Sequence, residues 1–111
     1  MTVKQHPTFV LLIDDYNDPK DFADYLLKEV PQSYADVNVV VELTKYKDFT
    51  LGHLLHFLEV SNEHRGQKHS FVLICTAVDV DDIPFEMIVV PTLQEAEDII
   101  EMEEIERDLG F

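Results

Sequence analysis

The sequence predicts an α/β fold in which a mostly parallel sheet of four to five strands packs against about three helices. Two observations lead to this class. Apolar, β-branched runs typical of buried strands alternate with segments whose apolar residues recur every three or four positions, as on one face of a helix. Such alternation favours parallel strands, because each parallel pair needs a crossover, usually a helix. No repeat or composition break divides the 111 residues, so we expect residues 1–111 to form a single domain.

The first third of the chain predicts two strands and a helix. Residues 1–5 are compatible with a short edge strand, and residues 8–14 form an apolar run typical of an internal strand. Asp18 and Pro19 mark the start of a helix, as N-cap and first helical residue. This helix is expected to end or bend before Pro31, because a proline disfavours helical geometry in the residue that precedes it.

The centre of the chain, residues 37–66, predicts a strand, a turn and a single helix. Residues 37–43 are apolar and β-branched and predict a mostly buried strand, which the polar residues 44–49 follow as a turn. From Thr50 onward the apolar spacing is that of a helix, and Gly66 is a usual stop signal. The apolar face of this helix consists of Leu51, Leu54, Leu55 and Leu58.

The last third of the chain predicts two further strands and a long helix. Residues 70–76 and 87–90 predict the strands, and the acidic residues 78–84 between them predict a loop. Thr92 opens the pattern of a capping box, in which a threonine and a glutamate three residues later bond each other's backbone amides. The final helix is therefore expected to run from there to Leu109.

The apolar residues of this final helix do not stay on one face. Leu93, Ala96 and Ile100 lie on one side when the chain turns by about 100° per residue. Met102, Ile105 and Leu109 lie roughly opposite, and together with Phe111 they need cover. The pattern indicates a bend, a helix enclosed on two sides, or a second face for a partner. In the last case the protein is an oligomeric structural adaptor, and a homo-oligomer is one form of it.

The charge limits the partners. With 23 acidic residues against eight Lys and Arg, the formal net charge is −15. Such a charge disfavours binding to a phosphate backbone, so we expect no nucleic acid partner. It equally disfavours docking on anionic lipid, so we expect no membrane partner. The charge is explained by solubility alone, by a basic partner, or by an acidic surface that mimics another molecule, and surface charge by itself identifies no partner.

The sequence also indicates a compartment. There is no charged segment followed by an apolar stretch of the kind that forms a signal peptide, and no apolar run approaches the roughly 20 residues that span a bilayer. The one cysteine, Cys75, lies in an apolar strand, so we expect a buried, inert thiol and no internal disulfide. A cytoplasmic protein is expected.

Three stretches of the chain resemble a STAS domain, the fold of bacterial anti-sigma-factor antagonists. Residues 9–26 are similar to the family's second strand and first helix. Residues 39–46, followed by residues 51–58, are similar to its central strand and second helix, and residues 90–96 to its last strand and the opening of its last helix. The resemblance implies a STAS-like sandwich and a non-catalytic regulatory module. It also implies a protein partner, an anti-sigma-type kinase or another regulator, that docks on the turn and helix after the central strand.

The resemblance further implies a phosphorylation switch. In the family, a serine or threonine lies in an Asp-Ser-Ser-Gly-like turn at the start of the second helix. Here Asp48 matches the aspartate, Phe49 stands at the phosphoacceptor position, and Thr50 matches with a shift of one residue. Thr50, or less favourably Thr44, is the phosphoacceptor that this implies. Plain N-capping is the commoner role for a threonine such as Thr50, and Asp48 is the rival cap.

The same turn provides the residues for partner binding that the resemblance implies. Phe49 is expected to be exposed there and to anchor the partner, because aromatic side chains dominate the energetics of many interfaces. The set implied by the resemblance is Asp48, Phe49, Leu51, Gly52 and His53.

No enzyme activity is predicted. Small bacterial STAS-like proteins with a similar C-terminal segment sometimes carry the name ribonuclease Z, but the His-x-His-x-Asp-His metal motif of that hydrolase is missing from this sequence. His53 and His56 are three residues apart on the predicted helix but lack the further ligands of a zinc site. The acidic residues 79–82 lack the glycine and the closing glutamate of an EF-hand loop. We expect no metal, no cofactor and no catalytic residue.

Overall fold

A computed structural model describes residues 1–110, and Phe111 lies outside the described residues. It contains five strands, four α-helices and one 3₁₀ turn within that range. In chain order they are β1 (Thr2–Gln5), β2 (Val10–Ile13), α1 (Pro19–Ser33), β3 (Val39–Glu42), α2 (Leu51–Leu55), α3 (Leu58–Gly66), β4 (Phe71–Ile74), the 3₁₀ turn (Val80–Asp82), β5 (Ile88–Val90) and α4 (Leu93–Asp108).

The five strands form one sheet in the order β1-β2-β3-β4-β5. The edge strand β1 runs antiparallel to β2, and the remaining neighbours are parallel. This arrangement confirms the predicted α/β class and its mostly parallel sheet, and it confirms the short edge strand at residues 1–5. Among residues 1–110, no helix is both long and apolar enough to cross a membrane.

Alternate residues of the strands supply two separate cores, because successive side chains in a strand point to opposite faces. On one face, Leu12, Val41 and Leu73 lie under α1, α2 and α3. On the other face, Val40 and Val72 lie under α4, which adds Ala96 and Ile100 to the core. Three helices therefore cover one face of the sheet, and a single helix covers the other.

Helix α1 begins as predicted, with the Asp18 side chain accepting a hydrogen bond from the Lys20 amide at 2.8 Å. Of the two alternatives at Pro31, an end of the helix is wrong, because the helix continues to Ser33. Two contacts of Val30 stabilise the helical turn around the proline. Its side chain is buried in the core, and its carbonyl accepts a hydrogen bond from the Tyr34 amide at 2.9 Å.

The single helix predicted for residues 50–66 is divided into α2 and α3. The amides of His56 and Phe57 each bond the carbonyl three residues earlier, at 3.2 and 3.0 Å, which is the tighter 3₁₀ pattern. This break directs the Phe57 ring into the core, where it is fully buried and lies 6.3 Å from the ring of Phe22. The leucine spacing in the sequence does not reveal the break, because it continues across it.

The acidic segment before β5 is a loop as predicted, apart from the short 3₁₀ turn, where the Asp79 side chain accepts a hydrogen bond from the Asp81 amide. Helix α4 begins at the predicted cap, because the Thr92 hydroxyl accepts a hydrogen bond from the Glu95 amide at 3.2 Å. It ends at Asp108, one residue before the expected position, and Gly110 beyond it adopts a left-handed φ of 84°.

Candidate functional site

The loops that follow β2 and β3 lie side by side at the carboxyl end of the sheet and enclose an open cleft. In open α/β sheets this is the end at which ligands and partners usually bind. The cleft has a volume of about 500 Å³ and contains much of the turn that the sequence singles out. Its lining consists of Asn17, Asp18, Pro19, Lys45, Tyr46, Lys47, Asp48, Phe49 and His53.

The expectation that Phe49 is exposed is wrong. Its side chain is only 4 % exposed and belongs to the core beneath α1, α2 and α3. The ring centroid lies 5.8 Å from that of Tyr46 and 6.4 Å from that of Phe57. Burial of an aromatic ring removes a large apolar area from water, so the Phe49 side chain stabilises the packing of the turn against the core.

Thr50 and His53 form a reciprocal capping pair at the start of α2. The Thr50 hydroxyl accepts a hydrogen bond from the His53 amide at 3.2 Å, and the Thr50 amide donates to Nδ1 of His53 at 3.1 Å. Thr50 is thus the N-cap, and the rival Asp48 is not. Because Nδ1 accepts a hydrogen bond, it carries no proton in this arrangement.

The other predicted site residues differ in exposure. Thr44, Asp48, Thr50 and Gly52 are exposed. Leu51 and His53 are half-buried, so they present only part of their side chains to a partner. The turn brings the whole predicted set into one short segment with one face toward the core and the other toward solvent.

Asp14 is a member of this region that the sequence reasoning missed. It follows directly after β2, and its carboxyl group is only 3 % exposed. One oxygen accepts a hydrogen bond from the Tyr16 amide, whereas Oδ2 has no hydrogen-bond partner among the described residues. Burial raises the pKa of Asp14, against the opposing effects of Tyr46, the Tyr16 amide and Lys45. The available signal was an aspartate at the end of an apolar strand.

Tyr46 and Lys45 surround this carboxyl group. The Tyr46 hydroxyl donates to the Tyr16 carbonyl at 3.0 Å and also neighbours Asp14. Burial, reinforced by the Asp14 carboxylate, raises the pKa of Tyr46. The Lys45 ammonium also donates to the Tyr16 carbonyl. Two side chains of the β3–α2 turn therefore hold the β2–α1 loop in place.

The exposed apolar residues of this half of the molecule also differ from the prediction. Leu55 is 41 % exposed at the end of α2, although the leucine spacing placed it on the apolar face. Phe85 is 98 % exposed in the loop before β5, at a position that no sequence pattern indicated. An aromatic residue must be exposed to anchor a partner directly. Phe85 has that exposure, whereas Phe49 does not.

The amino end of the sheet holds a second polar cluster, which is fully bonded. Asn38 donates to the Thr8 carbonyl at 2.9 Å and to Glu104 at 2.7 Å, and its oxygen accepts from the Ser70 amide at 2.8 Å. Arg107 reaches the same Asn38 oxygen at 3.3 Å. This cluster joins β3 to its neighbours and to α4.

A cavity of about 400 Å³ lies beside this cluster and has several basic lining residues. They include Arg65, which pairs with Glu103 at 3.1 Å, and Arg107, which donates to Ser70 at 3.2 Å. Both arginines lie in the last turn of their helices, where a cation is favoured by the helix dipole. The basic groups are thus explained by the structure of α3 and α4, and the dipoles of both helices disfavour an anion there.

Among residues 1–110, no three His, Cys, Asp or Glu side chains are grouped so that they could bind a metal ion. The Thr50 amide donates to Nδ1 of His53, and His56 is exposed at the end of α2. Cys75 is buried, as the sequence predicts.

No protein-family model matches the chain, and no curated protein matches it.

Proposed function

We propose that this chain is a non-catalytic regulatory module, of the kind that STAS-type anti-sigma-factor antagonists represent, and that it binds a protein partner through the β3–α2 turn. The surface consists of the solvent-facing side of residues 44–53. The observation that carries the proposal is the two-sided construction of this turn: Phe49 is buried beneath it, while Asp48, Thr50 and Gly52 remain exposed.

A turn held in this way is suited to recognition. The Thr50–His53 capping pair and the Phe49 ring fix the backbone before any partner arrives. Binding then loses little conformational entropy, because the surface is already ordered. Phe49 contributes by positioning the turn, and the contacts with the partner come from its exposed neighbours.

Regulation by phosphorylation at Thr50, with Thr44 as the alternative, is part of this proposal. A phosphoryl group on Thr50 would occupy the oxygen that now accepts the His53 amide, and it would add negative charge beside Asp48. Either effect alters the surface that the partner meets. Intact mass of the protein from its native cells, before and after phosphatase, tests this part, and an unmodified mass under all growth conditions contradicts it.

Gly52 offers a sharp test of the docking surface. A Cβ atom there would meet only the Thr50 hydroxyl, at 3.6 Å, and a Cβ at the exposed Gly66 would meet nothing within 4 Å, so both positions accept a side chain. A photo-reactive amino acid placed at position 52 should cross-link a partner in native cells, whereas the same residue at position 66 should not. Gly52→Arg should abolish capture of that partner, and Gly66→Arg should leave it unchanged.

The opposite pattern would contradict the proposal. Cross-linking from position 66 alone would place the partner at the end of α3. Equal capture by wild type and Gly52→Arg would remove the turn from the interface. Circular dichroism of both variants checks that the fold is retained.

A further inference from the structure

Helix α4 has one face in the core and another that nothing among the described residues covers. Ala96 and Ile100 are fully buried against the sheet. Met102, Ile105 and Leu109 are 52, 60 and 67 % exposed. Their spacing of three and then four residues places them in one line along the helix. We call these three residues the α4 stripe.

Carboxylates border the α4 stripe on both sides. Those that lie three or four residues from a member of the stripe, and so share its side of the helix surface, are Asp98, Glu101, Glu106 and Asp108. All four are exposed, and within residues 1–110 none forms an ion pair. The nearest arginine on the helix, Arg107, is directed inward to Asn38 and Ser70 and leaves these charges unbalanced.

We propose that the α4 stripe docks a basic amphipathic helix of a partner protein, with apolar residues that cover the stripe and Lys or Arg residues that meet the bordering carboxylates. A helix against an apolar stripe is an established mode of recognition. Charge complementarity selects the sign of the partner and accelerates its association. The surface lies toward the amino end of the sheet, away from the β3–α2 turn, so the proposal stands whether or not that turn binds a partner.

The same charges argue against other occupants. A second copy of this chain would bring its own four carboxylates against these four, and like charges at close range are repelled. An anionic membrane is repelled for the same reason, although an apolar stripe on a helix otherwise suits a membrane surface.

The test uses the purified protein and a synthetic peptide helix of about five turns, with leucines in one stripe and lysines on both flanks. Binding is measured by fluorescence anisotropy of the labelled peptide. The double variant Met102→Ser/Ile105→Ser keeps the charge of the protein and should weaken binding at least about tenfold, since two apolar contacts are lost. The matched control Val80→Ser, at a 74 % exposed residue outside α4, should bind as wild type.

The contribution of the carboxylates is tested in the same assay. Glu101→Gln/Glu106→Gln should weaken binding severalfold and flatten its dependence on salt, whereas the equally charge-removing Asp81→Asn/Asp82→Asn, in the exposed 3₁₀ turn, should have little effect. A peptide with glutamates in place of the lysines should not bind, and neither should one with serines in place of the leucines.

Three results would overturn the proposal. Equal binding by wild type and Met102→Ser/Ile105→Ser would show that the peptide is attracted by charge alone. Equal loss in the two carboxylate variants would show that the attraction is not local to α4. A concentration-dependent dimer in sedimentation equilibrium, abolished by Met102→Ser/Ile105→Ser, would show that a second copy occupies the stripe.

Discussion

The two ends of the sheet differ in the hydrogen bonding of their buried polar side chains. At the amino end, Asn38 is 4 % exposed and has a partner for both its amide nitrogen and its oxygen. At the carboxyl end, Asp14 is 3 % exposed, and one of its oxygens has no partner among the described residues. Burial is nearly equal, so the difference lies in the hydrogen bonds.

This difference separates a stabilising region from a region that is free to serve a function. A fully bonded buried network makes the fold rigid and specific, whereas a buried carboxylate with a missing partner lowers stability. The carboxyl end is also where the cleft and the β3–α2 turn lie, and functional sites are the usual place for such a cost. Four substitutions test whether the two ends differ in this way.

The largest expected effect is that of Phe49→Ala at the carboxyl end. Loss of the fully packed ring should lower the free energy of unfolding by roughly 3 to 5 kcal/mol, because a cavity replaces it. The matched control Phe85→Ala removes a ring that is 98 % exposed and should change stability little. Urea denaturation measures both. If the two variants are equally stable, Phe49 does not hold the turn, and the two-sided construction of the site fails.

Asn38→Ala at the amino end should be the next most severe. It leaves the Ser70 amide and the Glu104 carboxylate without their partner, so we expect a loss of about 2 to 3 kcal/mol. Asn62→Ala, at an exposed position on α3, provides the control. A loss no larger than that of the control would show that the amino-end network contributes nothing, and the comparison between the ends would collapse.

Asp14→Asn should act in the opposite direction and stabilise the protein by about 1 kcal/mol at neutral pH. The asparagine oxygen can still accept the Tyr16 amide, while the buried charge is removed. Asp36→Asn, at an exposed aspartate, controls for the change in net charge. Thermal unfolding that shows Asp14→Asn to be less stable than wild type would mean that the ionised carboxylate is needed by Lys45 or Tyr46.

The smallest expected effect is a difference in pH dependence between the ends. Burial lowers the pKa of His64 from its ordinary value of 6.5, against the bond that its Nε2 makes to the Val37 carbonyl. The folded state then binds fewer protons than the unfolded state, so acidification below about pH 6.5 should destabilise the protein through this residue. Burial raises the pKa of Asp14, so its contribution has the opposite sign: stability falls as pH rises from about 4 through the folded pKa.

These slopes are measured as differences between wild type and each variant in urea denaturation from pH 4 to 8. His64→Gln should remove the acid-side loss, whereas His56→Gln, at an exposed histidine, should not. Asp14→Asn should remove the loss of stability that begins as the pH rises above about 4. The same slope in both variants would show that the two ends titrate alike.

The periodicity of the apolar residues predicted the fold class, because the fold class depends on the apolar pattern of the whole chain. The strands, the start of α1 at Asp18 and the start of α4 at Thr92 follow from local signals that tertiary packing did not override. Pro31 was misjudged because core packing of Val30 outweighs the local preference. The division of α2 from α3 was missed because burying Phe57 needs a change of direction that a regular leucine spacing conceals.

The candidate site was predictable in position but not in orientation. Thr50 could be recognised as a cap, because capping is a local property of the backbone. The burial of Phe49 could not be recognised, because it lies among Lys47, Asp48 and other polar residues and is buried only through contacts with distant parts of the chain. The unpaired oxygen of Asp14 depends on how the β2–α1 loop and the β3–α2 turn pack together and has no signature in the sequence.

The strand order has a consequence for how the protein folds. Every strand bonds to the strand next to it in the chain, so no pairing closes a loop that contains another strand. We expect the sheet to grow from β1 toward β5 by addition to a waiting edge. Helix α4 then closes over a finished surface as the final step, and it should be the first helix to detach when the protein begins to open.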